Sequence, residues 1–576
     1  MTIRPWKIGL IAALGLACFA PAQAASKFIA LCYHEVVHNE GATDPFAVDT
    51  RGLVNQLEWL RARGYSFVGI DDVLADREGR RPLPDKAVLL SFDDGYRSVY
   101  KHVFPILKLY KAPAVVSLVG GWLDAPMGHT VKDTKLAREG FLLPGEIREM
   151  QQSGLIEFAS HSYELHRGIT ANPQGNQQPA ATALGYDGRG YESPSAQLQR
   201  IDRDLAHNSA AIERLTGRKP RVMVWPYGSY TRPLLDIARK NGMPITLTLN
   251  NGINEPDTPL AELSRVLVGA DMTLTDFAEE ILVREREPGG IAASWTRAMH
   301  VSLDQVYDPD PAAQEKKLGQ LLDRVLAMGA SAVYLRADTD RDGDGRADAV
   351  YFPNRRVAVK ADLFNRVAWQ LRTRAHVQVY AALPLAAFEL AGASPSDSDR
   401  RAARELVEDL GVSSRFAGLV LSDDPARPGL AEPGAAALFD LAGELFAAAR
   451  AYQPELKSVV TLHAGKLDDE RETLRFSEAI AKALSRADYV ELQPQAAVSP
   501  GRPWMERAFA AAGSSQKTVF ALPSRAVDSG DLARAVATLH LLGARHIAYG
   551  PDDVANDLPR LAVMRRAFSL RSQPER

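Results

Sequence analysis

At 576 residues the chain exceeds the usual size of one domain. Its apolar content of 46% and charged content of 24% are those of an ordinary soluble globular protein with ample chain to bury a core. A formal net charge of −3 gives no electrostatic case for a nucleic-acid partner.

The chain opens on Arg4 and Lys7, then the apolar run Ile8 to Ala20, then Ala22-Gln23-Ala24, the small-x-small pattern that signal peptidase reads. Residues 1–24 are therefore expected to be an export signal, and the run is short for a membrane anchor. A periplasmic location follows, with outer-membrane association left open. Leu16-Ala17-Cys18 resembles a lipidation site, but the position three residues before Cys18 is Gly15 rather than Leu. Cleavage leaves Cys32 as the lone cysteine, which excludes an internal disulfide. Within Phe28 to Tyr33 it is expected to be a buried, inert thiol.

Next come short β-rich runs alternating with helical patterns. Phe28 to Tyr33, Ala87 to Phe92, Ala114 to Leu118, Leu155 to Ala159 and Val222 to Trp225 read as strands, and Leu53 to Arg63 has helical apolar spacing. That alternation argues for parallel strands with helices outside. Gly168 to Pro194, rich in Gly, Pro, Asn and Gln, reads as a long surface loop. Arg284 to Gly290 is a charged run ending in structure breakers and marks the boundary between a first domain, 25–287, and a second, 295–576. In the second, Ala332 to Leu335, Val377 to Ala382, Gly418 to Leu421, Ser458 to Leu462, Tyr489 to Leu492, Thr518 to Leu522 and His546 to Tyr549 read as strands, with helical stretches such as Ala435 to Ala451 between them. Seven or eight such units fit a (β/α)8-like barrel or a close variant.

Four pieces of the first domain carry chemistry. Asp93 and Asp94 end the strand Ala87 to Phe92, where two adjacent carboxylates need compensation. A cation on one leaves the other free as a base, although a plain capping turn is an equal reading. His161 and His166 follow another strand, and imidazole suits Zn²⁺ and similar ions. In Trp225-Pro226-Tyr227-Gly228 the turn can aim the Tyr227 N–H at a developing oxyanion. His34, after the first strand, can protonate a leaving amine or serve as a satisfied structural histidine.

Together, Ser91-Phe92-Asp93-Asp94-Gly95, His161-x4-His166 and Trp225-Pro226-Tyr227-Gly228 resemble the motifs of the NodB-type polysaccharide deacetylases, carbohydrate esterase family 4. The early Tyr33-His34-Glu35 resembles the permuted branch of that family, the poly-β-1,6-N-acetyl-D-glucosamine (PNAG) N-deacetylases of biofilm export. Asp342 to Gly345, Tyr351 to Arg355 and Ala361 to Arg374 are similar to the opening of that branch's C-terminal glycoside-hydrolase-like domain.

The resemblance implies an α/β fold of two domains, a NodB-type distorted (β/α) barrel followed by a (β/α)8-like barrel. It implies a divalent metal ion held by Asp94, His161 and His166. Asp93 is then the base, Tyr227 the oxyanion donor and His34 the acid. The family's usual Arg before the Pro is Val224 here, and Arg265 is the candidate to hold Asp93 in its place. PNAG is the implied substrate, and an outer-membrane export porin a possible partner.

In the second domain Asp423 and Asp424 follow a strand, as barrel acids do. The loop Pro425 to Gly429 offers no second carboxylate, Ser302 stands where the family tends to carry an acid, and Glu491 is the one distant acid available. Asp340 to Gly345 resembles the start of a calcium loop but is read as a structural turn. The barrel is expected to bind glycan, with Tyr351, Trp369 and Tyr380 as aromatic faces, and to cleave it poorly or not at all.

Overall fold

A computed structural model describes residues 26–38, 46–250, 252–270, 272–286, 295–341, 347–385, 395–422, 435–495, 500–513, 515–525 and 527–569. The expected export signal with Cys18, the boundary residues 287–290, the 342–345 turn and Asp423, Asp424 and Pro425 to Gly429 lie outside them. Among the described residues no helix is long and apolar enough to cross a membrane.

The first domain is built on parallel strands β1 (Phe28–Tyr33), β2 (Ser66–Val68), β3 (Ala87–Phe92), β4 (Ala114–Leu118), β5 (Ile156–Ser160), β6 (Val222–Val224), β7 (Ile245–Leu247) and β8 (Val266–Leu267). Their order is β7-β6-β5-β4-β3-β1-β8, with β2 on the leading half of β3. β1, β3 and β4 are buried along their whole length, because helices cover one face and the interior the other. A parallel bridge between Leu247 and Leu263, next to β8, brings the two ends of the sheet together. The result is a distorted barrel. β2, β7 and β8 are two or three residues long, too short for apolar periodicity to mark them.

The second domain is a closed barrel of eight parallel strands: β9 (Arg297–Ser302), β10 (Ala332–Arg336), β11 (Gln378–Pro384), β12 (Gly418–Ser422), β13 (Lys457–Ala464), β14 (Tyr489–Pro494), β15 (Thr518–Pro523) and β16 (His546–Gly550). The strand that apolar patterning missed is β9, because Arg297, His300 and Ser302 interrupt it. Tyr334, Tyr380, Val420, Val459 and Ala521 belong to the small core that fills the barrel.

Two of the aromatic faces expected to meet glycan are therefore spent elsewhere. Tyr380 packs against Tyr334 inside the barrel, the rings tilted at 49°, and Tyr351 is buried with its hydroxyl donating to Asp304 at 2.6 Å. Trp369 lies on the outer helix Phe364–Arg374.

The segment 168–194 is not a surface loop. Gly168–Thr170 pairs with Gln177–Pro179, and Asn172, Gln178 and Ala180 to Leu184 are buried. It packs on the second domain: Gln174 Nε2 donates to the Asp362 carbonyl at 2.9 Å, Gln178 bonds Asn365, and Tyr191 bonds the Asp362 carboxylate. Arg415 Nη2 reaches the Thr182 carbonyl at 3.0 Å. Its Gly- and Asn-rich composition supplies turns and hydrogen bonds for a polar seam.

Candidate metal centre and active site

Strands β3, β5 and β6 of the first domain deliver side chains to one mouth. β3 runs straight into Asp93 and Asp94, both buried, and Asp94 takes a left-handed backbone with φ 73°. β5 is followed by His161 and by Ser162 at φ 69°, and β6 by the turn in which Tyr227 has φ 59°. Three non-glycine residues in that sparsely populated region, at three strand ends facing one site, are strain of the kind held at functional centres. Gly228 completes its turn at φ 63°, where an added Cβ would lie 2.6 Å from the Leu249 Cβ.

Asp94, His161 and His166 present ligand atoms within 4.8 Å of one another. His161 Nδ1 lies 2.7 Å from the Val224 carbonyl, which can only accept, so a proton is on Nδ1 and Nε2 is the nitrogen left to hold a cation. His161 Nε2 faces Asp94 Oδ1 at 3.3 Å, and His166 Nε2 faces the same oxygen at 3.2 Å. Asp94 Oδ1 is buried and without a hydrogen-bond partner among the described residues. Acceptors converging on one buried point fit a cation, and a carboxylate with two imidazoles suits a borderline divalent ion. Burial opposes ionisation of Asp94, but the two histidines outweigh it and hold the carboxyl well below its usual range. Burial likewise opposes charge on His166, and Asp94 more than offsets it, raising the imidazole.

Asp93 faces a different set. Its Oδ1 accepts from Arg265 Nη1 at 2.8 Å and from Ser117 Oγ at 3.0 Å, and its Oδ2 from Cys32 Sγ at 3.4 Å. Arg265 is itself buried, with Nη1 3.0 Å from Ser91 Oγ and Nε donating to the Thr248 carbonyl at 3.1 Å. Burial pushes the Asp93 carboxyl up, and Arg265, His161 and His34 pull it down further, so it stays ionised. Cys32 is the buried thiol expected, and it donates to Asp93. Burial raises its pKa well above the ordinary value, and Cys32, His34 and Asp93 also lie within 4.8 Å of one another. Among the described residues His34 keeps a buried Nδ1 with no hydrogen-bond partner.

The turn carrying His161 and His166 is braced from outside. Asp204, on the helix Pro194–Thr216, accepts from the N–H groups of Tyr163 and Glu164 at 2.8 and 2.7 Å. Asn208 Nδ2, one turn on, donates to Ser160 Oγ at 2.7 Å and to the Leu118 carbonyl at 3.0 Å. Trp122 packs on the His166 ring at 4.8 Å and Tyr227 at 4.6 Å. Sequence reasoning missed Ser117, Asp204, Asn208 and Trp122; the one available signal was Ser117 inside an otherwise apolar strand.

Glu491, on β14, is fully buried in the second barrel and accepts from Thr461 Oγ1 at 2.7 Å and Gln493 Nε2 at 3.1 Å, with His300 Nε2 at 2.7 Å. Burial raises its carboxyl and His300 with those donors more than reverses the shift. Ser302 Oγ donates to Asp304 at 2.9 Å.

Residues 80–246 match the family model described as polysaccharide deacetylase, and residues 300–402 the one described as hypothetical glycosyl hydrolase family 13. The chain is 38% identical over 369 residues to the poly-β-1,6-N-acetyl-D-glucosamine N-deacetylase of Escherichia coli strain K12, covering 63% of this chain and 54% of that protein. It thus spans about half the length of the curated relatives it matches first. Among solved structures, the BpsB deacetylase domain of Bordetella bronchiseptica is 41% identical with a TM-score of 0.39, over 42% of this chain and 96% of that one. The PgaB (BpsB) glycoside hydrolase domain from the same organism is 29% identical with a TM-score of 0.41, over 48% of this chain and 99% of that one.

Proposed function

The chain belongs to the polysaccharide deacetylases, in the branch that adds a glycoside-hydrolase-like domain, and on that premise we propose that it removes N-acetyl groups from exported PNAG with a divalent metal ion. The observation that carries the proposal is the convergence of two imidazole nitrogens, 3.2 and 3.3 Å away, on the unpartnered Asp94 Oδ1.

Asp94, His161 and His166 hold the ion. A divalent ion in such a set, whether Zn²⁺, Ni²⁺, Co²⁺ or Fe²⁺, supplies Lewis acidity and makes water acidic enough to react near neutral pH. Asp93, kept ionised and aimed by Arg265, takes the proton of the attacking water. The Tyr227 N–H, turned by its positive φ, donates to the oxyanion that develops on the acetamide oxygen. His34 gives a proton to the departing amine, and acetate leaves. The identity of the polymer rests on the E. coli relative's name. The second barrel holds the chain of sugars, residues 1–24 direct export to the periplasm, and an outer-membrane porin receives the product.

Acetate release from β-1,6- and β-1,4-linked N-acetylglucosamine oligomers, with and without chelator, tests this. Release is expected on the β-1,6 series, to stop with chelator and to return with added metal. His161→Ala should lose both bound metal and acetate release. Equal rates on both linkages would move the substrate to chitin-like or peptidoglycan glycans. Full activity in metal-free protein would overturn the role of the ion.

A further inference from the structure

A second set of metal-binding groups stands beside the first and shares no residue with Asp94, His161 and His166. Cys32, in β1, and His34, one residue past its end, are two apart, the spacing that puts side chains of an extended chain on one face. β1 and β3 run parallel, with Cys32 level with Ser91 and Tyr33 with Phe92, and that register brings Asp93 alongside His34. Cys32, His34 and Asp93 thus present a sulfur, an imidazole nitrogen and a carboxylate oxygen within 4.8 Å of one another.

The arrangement of these atoms fits a cation. Arg265 and Ser117 take Asp93 Oδ1, at 2.8 and 3.0 Å, and Oδ2 is turned to the Cys32 sulfur at 3.4 Å. A sulfur and an oxygen bound to one tetrahedral Zn²⁺, at about 2.3 and 2.1 Å, stand about 3.6 Å apart, so these two atoms need hardly move. Among the described residues the buried His34 Nδ1 has no hydrogen-bond partner, which leaves a ring nitrogen for the ion. Charge agrees. Once the thiol has given up its proton, Cys32 and Asp93 carry two negative charges against the single positive charge of Arg265. Burial opposes loss of that proton and Arg265 favours it, so a cation must supply the rest.

We infer that Cys32, His34 and Asp93 form an inhibitory site for a second, thiophilic divalent ion. The inference rests on the deacetylase reading, in which Asp93 is the base and His34 the acid. The ion displaces the Cys32 proton, which passes to solvent, and bonds to Sγ, to Asp93 Oδ2 and to the His34 ring. Both proton-transfer groups are then engaged and acetate release stops, while the first ion stays on its own three ligands. Repulsion from that first ion makes the second the weaker binder. A thiolate selects Zn²⁺ over Mg²⁺ or Mn²⁺. The enzyme thereby works with one equivalent of Zn²⁺ and is throttled by an excess.

The metal-free full chain is titrated with Co²⁺ under exclusion of air, while absorption and proton release are followed. The first equivalent should fill Asp94, His161 and His166 and give no thiolate-to-cobalt charge-transfer band. A second, weaker equivalent should bring that band up and release a proton at neutral pH. Acetate release by the Zn²⁺-loaded protein should fall with excess Zn²⁺ and hold with excess Mg²⁺. In Cys32→Ser the band should vanish. The Zn²⁺ excess for half-inhibition should rise at least about tenfold there, each rate taken against that variant's own rate with one equivalent. His34→Gln, which keeps the thiol, should show the band only at about tenfold higher Co²⁺, and judges the site if Cys32→Ser does not fold. A second equivalent that binds without the band, inhibition unchanged in Cys32→Ser, or acetate release undiminished by excess Zn²⁺ would overturn the inference. Absence of acetate release at every metal ratio would sink the deacetylase reading instead, and the cobalt titration would still judge the site.

Discussion

Arg265 carries its charge in a site where its side chain is 1% exposed, against an Asp93 side chain at 3%. Removing one member of a buried pair leaves the other uncompensated, at a cost of about 3–5 kcal/mol. Arg265→Ala is therefore expected to lower the urea midpoint strongly as well as to abolish acetate release. A midpoint within experimental error of wild type would show that the pair is not what holds Asp93. His34 makes the opposite case. Its ring meets the exposed Phe46 at 5.4 Å rather than the core, so His34→Ala should keep fold and metal content while kcat falls about 10²-fold. Loss of metal in that variant would make His34 a ligand. Asp93, Asp94, His161 and His166 were legible because adjacent or near-adjacent residues carry the whole signal. Arg265 was reached only by resemblance, since it lies 172 positions from Asp93. Cys32 looked apolar for the same reason: a thiol's partner across a sheet leaves no local mark.

At the scale of elements, the spacing of the two histidines matters less than what presses on their turn. Gly120 and Gly121 follow β4 and receive that turn directly: the Gly121 N–H donates to the Tyr163 carbonyl at 3.0 Å. A Cβ on Gly121 would lie 2.6 Å from that carbonyl oxygen, a backbone atom that must move. Gly121→Ala should displace His161 and His166 and weaken metal affinity about 10–100-fold, the usual cost of disturbing ligand orientation. Competition with a metal-binding dye measures it, and an unchanged affinity would show that the turn yields without moving its ligands. The long strands were legible from their apolar runs. The short ones at β2, β7 and β8, and the polar β9, were not, because pairing across the barrel rather than local preference forms them.

For the molecule as a whole, acid stability turns on the seam of the second barrel. His546, on β16, accepts from the Thr296 N–H at 3.2 Å and so donates from Nε2 to the Gln516 carbonyl at 2.9 Å, which makes it neutral. Burial first, then Arg297 and Arg545, outweighs the help of Gln516 and lowers its pKa from 6.5 to about 4. A base with a lowered folded pKa binds its proton more readily when unfolded. Its contribution is whole above pH 6.5 and is lost as pH falls toward 4, by at most about 3 kcal/mol. Tm measured from pH 7 to 4.5 should fall less in His546→Gln than in wild type, and parallel curves would remove His546 from the account. The sequence alone determined the α/β class, the two barrels and the four motifs at strand ends, because apolar runs and neighbouring polar residues are local facts. Tertiary structure decided the closure of both sheets, which nitrogen of His161 is left to hold a cation, the pairing of Arg265 with Asp93, the docking of 168–194 on the second barrel and the loss of Tyr351 and Tyr380 as glycan faces. Each of those depends on atoms far apart in the chain meeting where water is excluded, and neither composition nor periodicity records such a meeting.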